Sequence, residues 1–238
     1  MPRSPLVPRW VLPSFIAVFL VLCALKGASA TSLSAGIDVA VRKYGAAATA
    51  RLQPFFEKAK VPYPPRRMTF LAFKEERSLE VWASPRAEGA FRFIREYPIL
   101  AASGELGPKL RQGDLQVPEG FYRILWLNPY SSYHLSMKLN YPNAFDFEMA
   151  RNEKRTNLGG DIFIHGNQVS AGCLAMGDEA IEELFVLVAR TSPQNVDVLI
   201  SPLDLRRAGS EWPLGGPRWA AGLYVRLAAA LSGFERRR

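Results

Sequence analysis

The stretch IFIHGNQVSAGCLAM, residues 162–176, carries the most specific pattern in this chain of 238 residues. An apolar run typical of a short strand ends at His165, and Gly166 and Gly172 bracket the loop that follows. Such a loop can fold back and return the thiol of Cys173 to the side of the imidazole. The thiolate is the reactive form of sulfur, and a neighbouring imidazole lowers the thiol pKa or removes its proton. We therefore predict Cys173 as nucleophile and His165 as its base.

The backbone around the thiol is a second part of the pattern. Gly172 permits geometries closed to other residues, so the amides of Gly172 and Cys173 can point at a developing oxyanion. On spacing alone, two structural interpretations stay open. Cysteine is among the most buried residue types, so Cys173 could be a core residue, and His165 could be a structural histidine at a strand end.

The first thirty residues have the pattern of a secretory signal peptide. Arg3 and Arg9 precede an apolar run from Val11 to Leu25, and the small residues of ASA (28–30) form a cleavage site, so we predict cleavage after Ala30. An uncleaved anchor is the alternative, although the run is shorter than the ~20 residues that span a bilayer. The predicted location is the periplasm or the cell wall.

Cysteine use supports a reactive thiol. Cys23 lies in the predicted leader, so the exported chain keeps Cys173 as its sole cysteine. An unpaired thiol in an oxidising compartment is either buried and inert or kept for reactivity. A reactive Cys173 should have a depressed pKa that depends on His165.

Charge and histidine content restrict the partners. The net charge of +8 falls to +5 without residues 1–30, which favours contact with anionic wall polymers or lipid headgroups. The chain lacks a dense basic cluster with interleaved aromatics, which argues against nucleic acid, and membrane contact is expected only through an uncleaved leader. Two histidines without paired-ligand spacing predict no metal, and we expect no cofactor.

Pattern changes divide the chain after the leader. Helical periodicity from Ile37 to Leu52, which Pro54 should end, and three prolines at 62–65 predict a helical extension and linker over 31–66. A catalytic domain is predicted over 67–205, and a C-terminal helix with a basic, solvated tail over 206–238.

The predicted fold class is α+β, a mostly antiparallel β domain with a few packed helices and an N-terminal helix. Asp178 should cap a helix that ends near Arg190 and Pro193, and a last helix runs from Trp219 to a stop at Gly233. Short runs with turn signals between them predict strands, with Tyr133–Asn140 as one half-buried strand that has His134 opposite its apolar face. The predicted strands are Thr69–Lys74, Ser78–Ala83, Phe91–Tyr97, Ile99–Ser103, Phe121–Leu127, Tyr133–Asn140, Asp161–His165 and Val196–Ser201.

His-Gly, a variable loop and then Ser-x-Gly-Cys resembles the signature of the L,D-transpeptidase catalytic-domain family. The eight-position spacing between His165 and Cys173 is a compressed form, similar to the branch with the amidase that detaches a lipoprotein from the wall. The resemblance extends from about Thr69 to Ser201. It includes SGELGPK (103–109), GD (113–114), PEGFY (118–122), NP (128–129), YHLS (133–136) and YPN (141–143).

This resemblance implies a mechanism. Cys173 would attack the carbonyl of a diaminopimelate-type residue in a peptidoglycan stem peptide, with His165 as base and then as acid. Amides near Gly172 and Cys173 would hold the oxyanion while a thioester forms. An amine acceptor would complete transpeptidation, and water would complete hydrolysis.

Two positions depart from the family pattern. Many members carry Arg or Asn two residues after the cysteine, where this chain has Ala175, and a histidine where it has Ala171. The resemblance therefore implies a specialised substrate, and replacing Ala175 by Arg should test this.

Four more residues are candidates for support. Ser170 could hydrogen-bond His165 or shape the loop, Asp161 could orient the ring, and Gly166 could support it. His134 could line the cleft or assist the oxyanion site, or it could be an exposed or capping histidine.

The resulting interpretation is a cysteine enzyme that acts on peptidoglycan by transpeptidation or amide hydrolysis. The alternatives are an amidase that releases a wall-attached lipoprotein and a non-catalytic wall-binding module in which Cys173 is a packing residue.

Overall fold

The computed structural model describes residues 15–207 and 216–236, with backbone alone for residues 15–31. Within these ranges the helices are α1 (Phe15–Ala59), α2 (Ala144–Asn152), α3 (Asp178–Thr191) and α4 (Ala220–Leu231), with a 3₁₀ turn at Pro193–Asn195. The strands are β1 (Arg67–Phe73), β2 (Ser78–Ser84), β3 (Arg92–Pro98), β4 (Ala101–Ala102), β5 (Gly120–Asn128), β6 (Ser136–Leu139), β7 (Phe163–His165), β8 (Leu174–Ala175) and β9 (Val196–Ser201).

The described strands form one sheet in the order β3-β2-β1-β9-β5-β6-β7-β8-β4. Six of the eight strand pairs are antiparallel, whereas β1–β9 and β7–β8 are parallel. A mixed sheet with packed helices confirms the predicted α+β class. The hairpin of β1 and β2 around residues 74–77 is also confirmed.

Helices cover the sheet on both sides, which explains why its central strands are apolar without alternation. Along β1, Phe70 and Ala72 belong to the core shared with α1 and α3. Leu71 and Phe73 belong to a second core against α4. Each face of the same strand is therefore buried.

The first helix differs from the prediction. It runs to Ala59 with Pro54 inside it, whereas Pro54 was expected to end it. Ala48, Leu52 and Phe56 are buried at four-residue spacing across the proline. Packing of this face against the core stabilises the helix beyond the proline, because tertiary contacts supply most of the stability of a helix in a protein.

The strand predicted at Tyr133–Asn140 is shorter and begins at Ser136. His134 precedes it with a positive φ of 70°, so it belongs to a turn and not to the polar side of a strand. Helix α2 was missed, although Asn143 and Asp146 form a capping box that the sequence displays as Asn-x-x-Asp. The two-residue strand β8 was also missed.

The helix boundaries near the C-terminus agree closely with the predicted ones, with one correction. Asp178 is the first residue of α3 and its side chain does not cap the helix, since Gly177 occupies the cap position. Arg236 was expected in a solvated tail, but its guanidinium pairs with Glu80 and Glu96 at 2.6 Å. Residues 237–238 lie outside the described part.

Residues 1–14 of the predicted leader also lie outside the described part, and the leader and its cleavage stay predictions. Among the described residues, none of the helices has the combination of length and apolar character needed to cross a bilayer.

Candidate active site

Strand pairing brings the predicted catalytic pair together. β7 and β8 run parallel, with Ile164 opposite Leu174 and His165 opposite Ala175. The same register places Cys173, the residue before β8, beside Phe163. Because side chains alternate along a strand, the imidazole of His165 and the thiol of Cys173 project from the same face of the sheet.

Both side chains line one open pocket of about 540 Å³. Its walls come from the turn and strand start at 128–136, from residues 161–165 and from the loop 169–173. Cys173 is half-buried and unpaired with any other cysteine of the described chain. A substrate chain can therefore reach the sulfur, and the thiol is not sealed in the core.

The ring of His165 is held by its neighbour along the chain. Its Nδ1 lies 2.6 Å from the carbonyl oxygen of Gly166. A carbonyl only accepts, so Nδ1 carries the proton and Nε2 of the neutral ring keeps the lone pair of a base. The ring of Tyr133 lies against the imidazole, 4.7 Å between centroids. Burial lowers the pKa of His165, which favours this neutral form.

Close packing around Gly166 explains why a glycine follows the histidine. A Cβ at this position would lie 2.8 Å from the backbone oxygen of Tyr133 and 2.8 Å from Oδ1 of Asp178. That carboxylate accepts the backbone N–H of Asn167 at 2.8 Å. The carbonyl of Gly166 therefore orients the ring of His165. The sequence had suggested Asp161 for this role.

The thiol of Cys173 lies in a hydrogen-bonded niche. Sγ accepts the backbone N–H of Phe163 at 3.4 Å and donates to the backbone oxygen of Asp161 at 3.6 Å. Burial raises the pKa of Cys173, although the Phe163 N–H and the charge of Lys138 act in the opposite direction. The prediction of a depressed thiol pKa is therefore wrong for this geometry. A neutral thiol beside a neutral imidazole is the favoured resting pair.

The backbone amides predicted for the oxyanion site have partners. The N–H of Gly172 donates to Oγ of Ser103 at 2.6 Å, and the N–H of Cys173 donates to Oγ of Ser170 at 3.2 Å. Gly172 has a φ of 108°, which favours glycine. A substrate oxygen would have to replace a serine hydroxyl at each amide.

Ser170 shapes the loop, which is one of the two roles considered for it. Its hydroxyl donates to the carbonyl of Cys173 at 2.7 Å and accepts the N–H of Ser103 at 3.3 Å. The hydroxyl of Ser103 donates to the carbonyl of Leu115 at 2.7 Å. Ser103 joins the site from a loop 69 positions away in the sequence, which local sequence patterns do not reveal.

His134 lies outside the pocket lining. Its Nε2 is 2.9 Å from Oε1 of Glu182 in α3, and its ring meets the edge of Tyr44 in α1. These contacts match the alternative of a half-exposed structural histidine.

A cation that sequence reasoning missed lies near the nucleophile. Nζ of Lys138 in β6 is 2.6 Å from Oδ1 of Asp161 and 4.8 Å from the ring centroid of Phe163. In the sequence, Lys138 alternates with the apolar residues of the predicted strand Tyr133–Asn140, a pattern that assigns it no role in the site. Its partner Asp161, which precedes β7, lines the pocket, whereas Lys138 itself does not.

The two departures from the family pattern have different surroundings. Ala171 lines the pocket, whereas Ala175 is fully buried in β8. An arginine at 175 would bury a charge, which is costly without a partner. We therefore expect Ala175→Arg to destabilise the fold, so that it does not test substrate specificity by itself. Among the described residues, no group of three His, Cys, Asp or Glu side chains is arranged to hold a metal ion.

Comparison with known proteins adds independent observations. The family model of the L,D-transpeptidase catalytic domain, YkuD, matches residues 74–198. A protein of Escherichia coli K12 named "Putative L,D-transpeptidase YafK" is 38% identical over 118 residues, which are 49% of this chain and 45% of that protein. The same name and identity hold for Escherichia coli O157:H7. The chain spans about half the length of these relatives.

Solved structures with a similar arrangement include the helical cell shape determining protein Pgp2 of Campylobacter jejuni, with a TM-score of 0.47 and 21% identity over 70% of this chain and 53% of that one. Bd1075 of Bdellovibrio bacteriovorus has a TM-score of 0.41 and 22% identity over 72% and 57%. The family model itself covers more than half of the chain and includes both His165 and Cys173. The chain therefore belongs to the L,D-transpeptidase catalytic domain family.

Proposed function

We propose that this chain is an exported cysteine acyltransferase that acts on peptidoglycan stem peptides through a thioester. One observation carries the proposal. His165 and Cys173 share one sheet face and one open pocket, and the Gly166 carbonyl leaves Nε2 of His165 as the base nitrogen. Family membership supplies the substrate class, since the family is defined by an L,D-transpeptidase domain.

The first half-reaction uses the neutral pair. Nε2 of His165 takes the thiol proton as Sγ of Cys173 attacks the acyl carbon, so the imidazolium exists only after the attack begins. The C–N bond of the substrate amide then breaks, and the leaving amine takes the proton back from Nε2. The products are a free amine and an acyl group in thioester linkage to Cys173.

The developing oxyanion requires donors close to the thiol. The amides of Gly172 and Cys173 have the right position in the chain, and they would serve once the substrate oxygen replaces the hydroxyls of Ser103 and Ser170. Removal of one donor from an oxyanion hole typically costs about 3–4 kcal/mol of transition-state stabilisation.

In the second half-reaction a new nucleophile attacks the acyl carbon of the thioester, and His165 Nε2 takes its proton. The C–S bond then breaks, and the thiolate of Cys173 takes that proton back from Nε2, which restores the neutral pair. An amine from another stem peptide would give a crosslink, and water would give hydrolysis. The same pair of residues serves both outcomes, so release of a wall-attached lipoprotein is the same chemistry with a different leaving amine.

Incubation of the purified protein with sacculi and mass analysis of the muropeptides tests the proposal. We expect new crosslinks or a detached peptide or protein, together with an acyl adduct on Cys173. The Cys173→Ala variant should abolish both. Unchanged muropeptides and no adduct on the thiol would support the non-catalytic wall-binding module instead.

A further inference from the structure

The ring of Tyr133 is the aromatic surface that meets the catalytic histidine. Its centroid lies 4.7 Å from that of the His165 imidazole, and the two rings are inclined by 34°. At this inclination the imidazole lies against the face of the tyrosine ring and not at its edge. Tyr133 is 44% exposed and lines the pocket together with His165 and Cys173. The ring therefore belongs to the wall of the site and not to the core.

The backbone around Tyr133 is tied to its surroundings. Its N–H donates to Oγ of Ser131 at 3.1 Å, and its carbonyl oxygen packs closely against Gly166. Nε2 of the next residue, His134, lies 2.9 Å from Oε1 of Glu182 in α3. The position of the ring is thus set by the fold, so little ordering is left to be done when the site reacts.

The positive charge that His165 gains in the reaction has no carboxylate partner in the described part of the chain. Burial lowers the pKa of the ring, and the hydrogen bond from Nδ1 to the neutral carbonyl of Gly166 raises it by less. The carboxylate of Asp178 lies beside Gly166, but it accepts the backbone N–H of Asn167. In Ser-His-Asp triads a buried carboxylate stabilises the imidazolium. In this pocket the imidazolium needs a different source of stabilisation.

An aromatic face supplies such stabilisation without a negative charge. The face of a tyrosine ring is electronegative because of its quadrupole, and it attracts a cation that lies within about 6 Å of the ring centroid. The attraction is stronger where water is excluded, and His165 is only 2% exposed. It acts on the imidazolium more than on the neutral imidazole. The contact therefore favours the state formed during thiol attack over the resting pair.

We propose that the ring of Tyr133 stabilises the imidazolium that forms when His165 takes the thiol proton of Cys173. The inference rests on the proposed function and adds a residue to it. The proton moves from Sγ to Nε2 and then to the leaving amine, so Tyr133 neither gives nor takes one. Because it acts through His165, Tyr133 is a positioning residue. The carbonyl of Gly166 and the aromatic face together replace the carboxylate of a triad.

Titration of His165 by NMR measures this effect apart from catalysis. The full-length Cys173→Ala protein lacks the thiol that would titrate beside the ring, and since the chain has two histidines, His165→Ala assigns the signals. We expect Tyr133→Leu to lower the pKa of His165 by about 0.5–1.5, which corresponds to the loss of one cation–π contact. Tyr133→Phe keeps the aromatic face and should keep the pKa of His165.

The sign of the change separates this role from simple packing. Burial lowers the pKa of His165, so if Tyr133 only shielded the imidazole from water, a smaller side chain would raise that pKa. The His134 signals report on the turn through the contact with Glu182 and should stay unchanged in Tyr133→Leu. Tyr130→Leu is the matched control, because Tyr130 lies in the same connection between β5 and β6 but outside the pocket lining. It should leave the pKa of His165 unchanged.

Acylation of the active protein gives the second measurement. The rate of acyl-adduct formation on Cys173 should fall by about three- to thirty-fold in Tyr133→Leu and stay within about two-fold of the parent in Tyr133→Phe.

The outcomes separate this inference from the proposed function. An unchanged or raised pKa of His165 in Tyr133→Leu, or an equal loss in Tyr133→Phe, would overturn the role of the aromatic face. A fall that comes with shifted His134 signals would overturn it too, because the turn itself would have moved. A lowered pKa of His165 together with no acyl adduct on Cys173 in the parent protein would retain the role of the ring and overturn the proposed chemistry.

Discussion

Replacement of Gly166 by alanine is the sharpest test of how the catalytic histidine is held. The new Cβ would lie 2.8 Å from the backbone oxygen of Tyr133, 2.8 Å from Oδ1 of Asp178 and 3.0 Å from Cβ of His134. Backbone cannot yield as a flexible side chain does, so the segment that contains the Gly166 carbonyl has to move. This carbonyl holds Nδ1 of His165 at 2.6 Å.

The structure sets the size of the effect. Overpacking of this kind costs about 1–3 kcal/mol of unfolding free energy, which lowers Tm by about 2–4 °C per kcal/mol at this chain length. A displacement of about 1 Å in a catalytic group can reduce the rate by about a hundred-fold. We therefore expect Gly166→Ala to lose far more activity than its stability loss explains.

Gly160→Ala is the matched control, because a Cβ at Gly160 meets nothing within 4 Å. The assays are urea unfolding followed by circular dichroism and the rate of acyl-adduct formation on Cys173 by intact mass. If Gly166→Ala matched Gly160→Ala in both stability and acylation rate, the Gly166 carbonyl would not be what positions the ring.

Three further predictions follow from burial. Because burial raises the pKa of Cys173, its alkylation rate by iodoacetamide should keep rising with pH beyond the range of an ordinary thiol, and a rate plateau at neutral pH would contradict a neutral resting thiol. In a separate assay, acyl-adduct formation on Cys173 should fall in His165→Ala, which lacks the base. Lys74→Met leaves the fully buried Glu119 without the cation that lies 2.9 Å away, so the free energy of unfolding should drop by about 3–5 kcal/mol, and a change below 1 kcal/mol in urea unfolding would refute this. Ala175→Arg should lower Tm strongly because the site is fully buried, and an unchanged Tm would mean that the site opens to solvent.

Much of the site could be predicted from local sequence, because its signals are short-range. The strand before His165, the glycines of the loop and the thiol eight residues on all lie within one segment. The hairpin of β1 and β2 and the periodic face of α3 are also local patterns, and they appear in the structure at nearly the predicted bounds.

Contacts between segments that are distant in the sequence were decided by the tertiary structure alone. The hydroxyl of Ser103 reaches the amide of Gly172 across 69 positions, and Lys138 meets Asp161 across 23. Helix α1 continues past Pro54 because its buried face finds a core. Such contacts are set by strand order and register, which are properties of the whole sheet. A sequence pattern shows which face of a strand is apolar, but the neighbour on that face is chosen only when the chain folds.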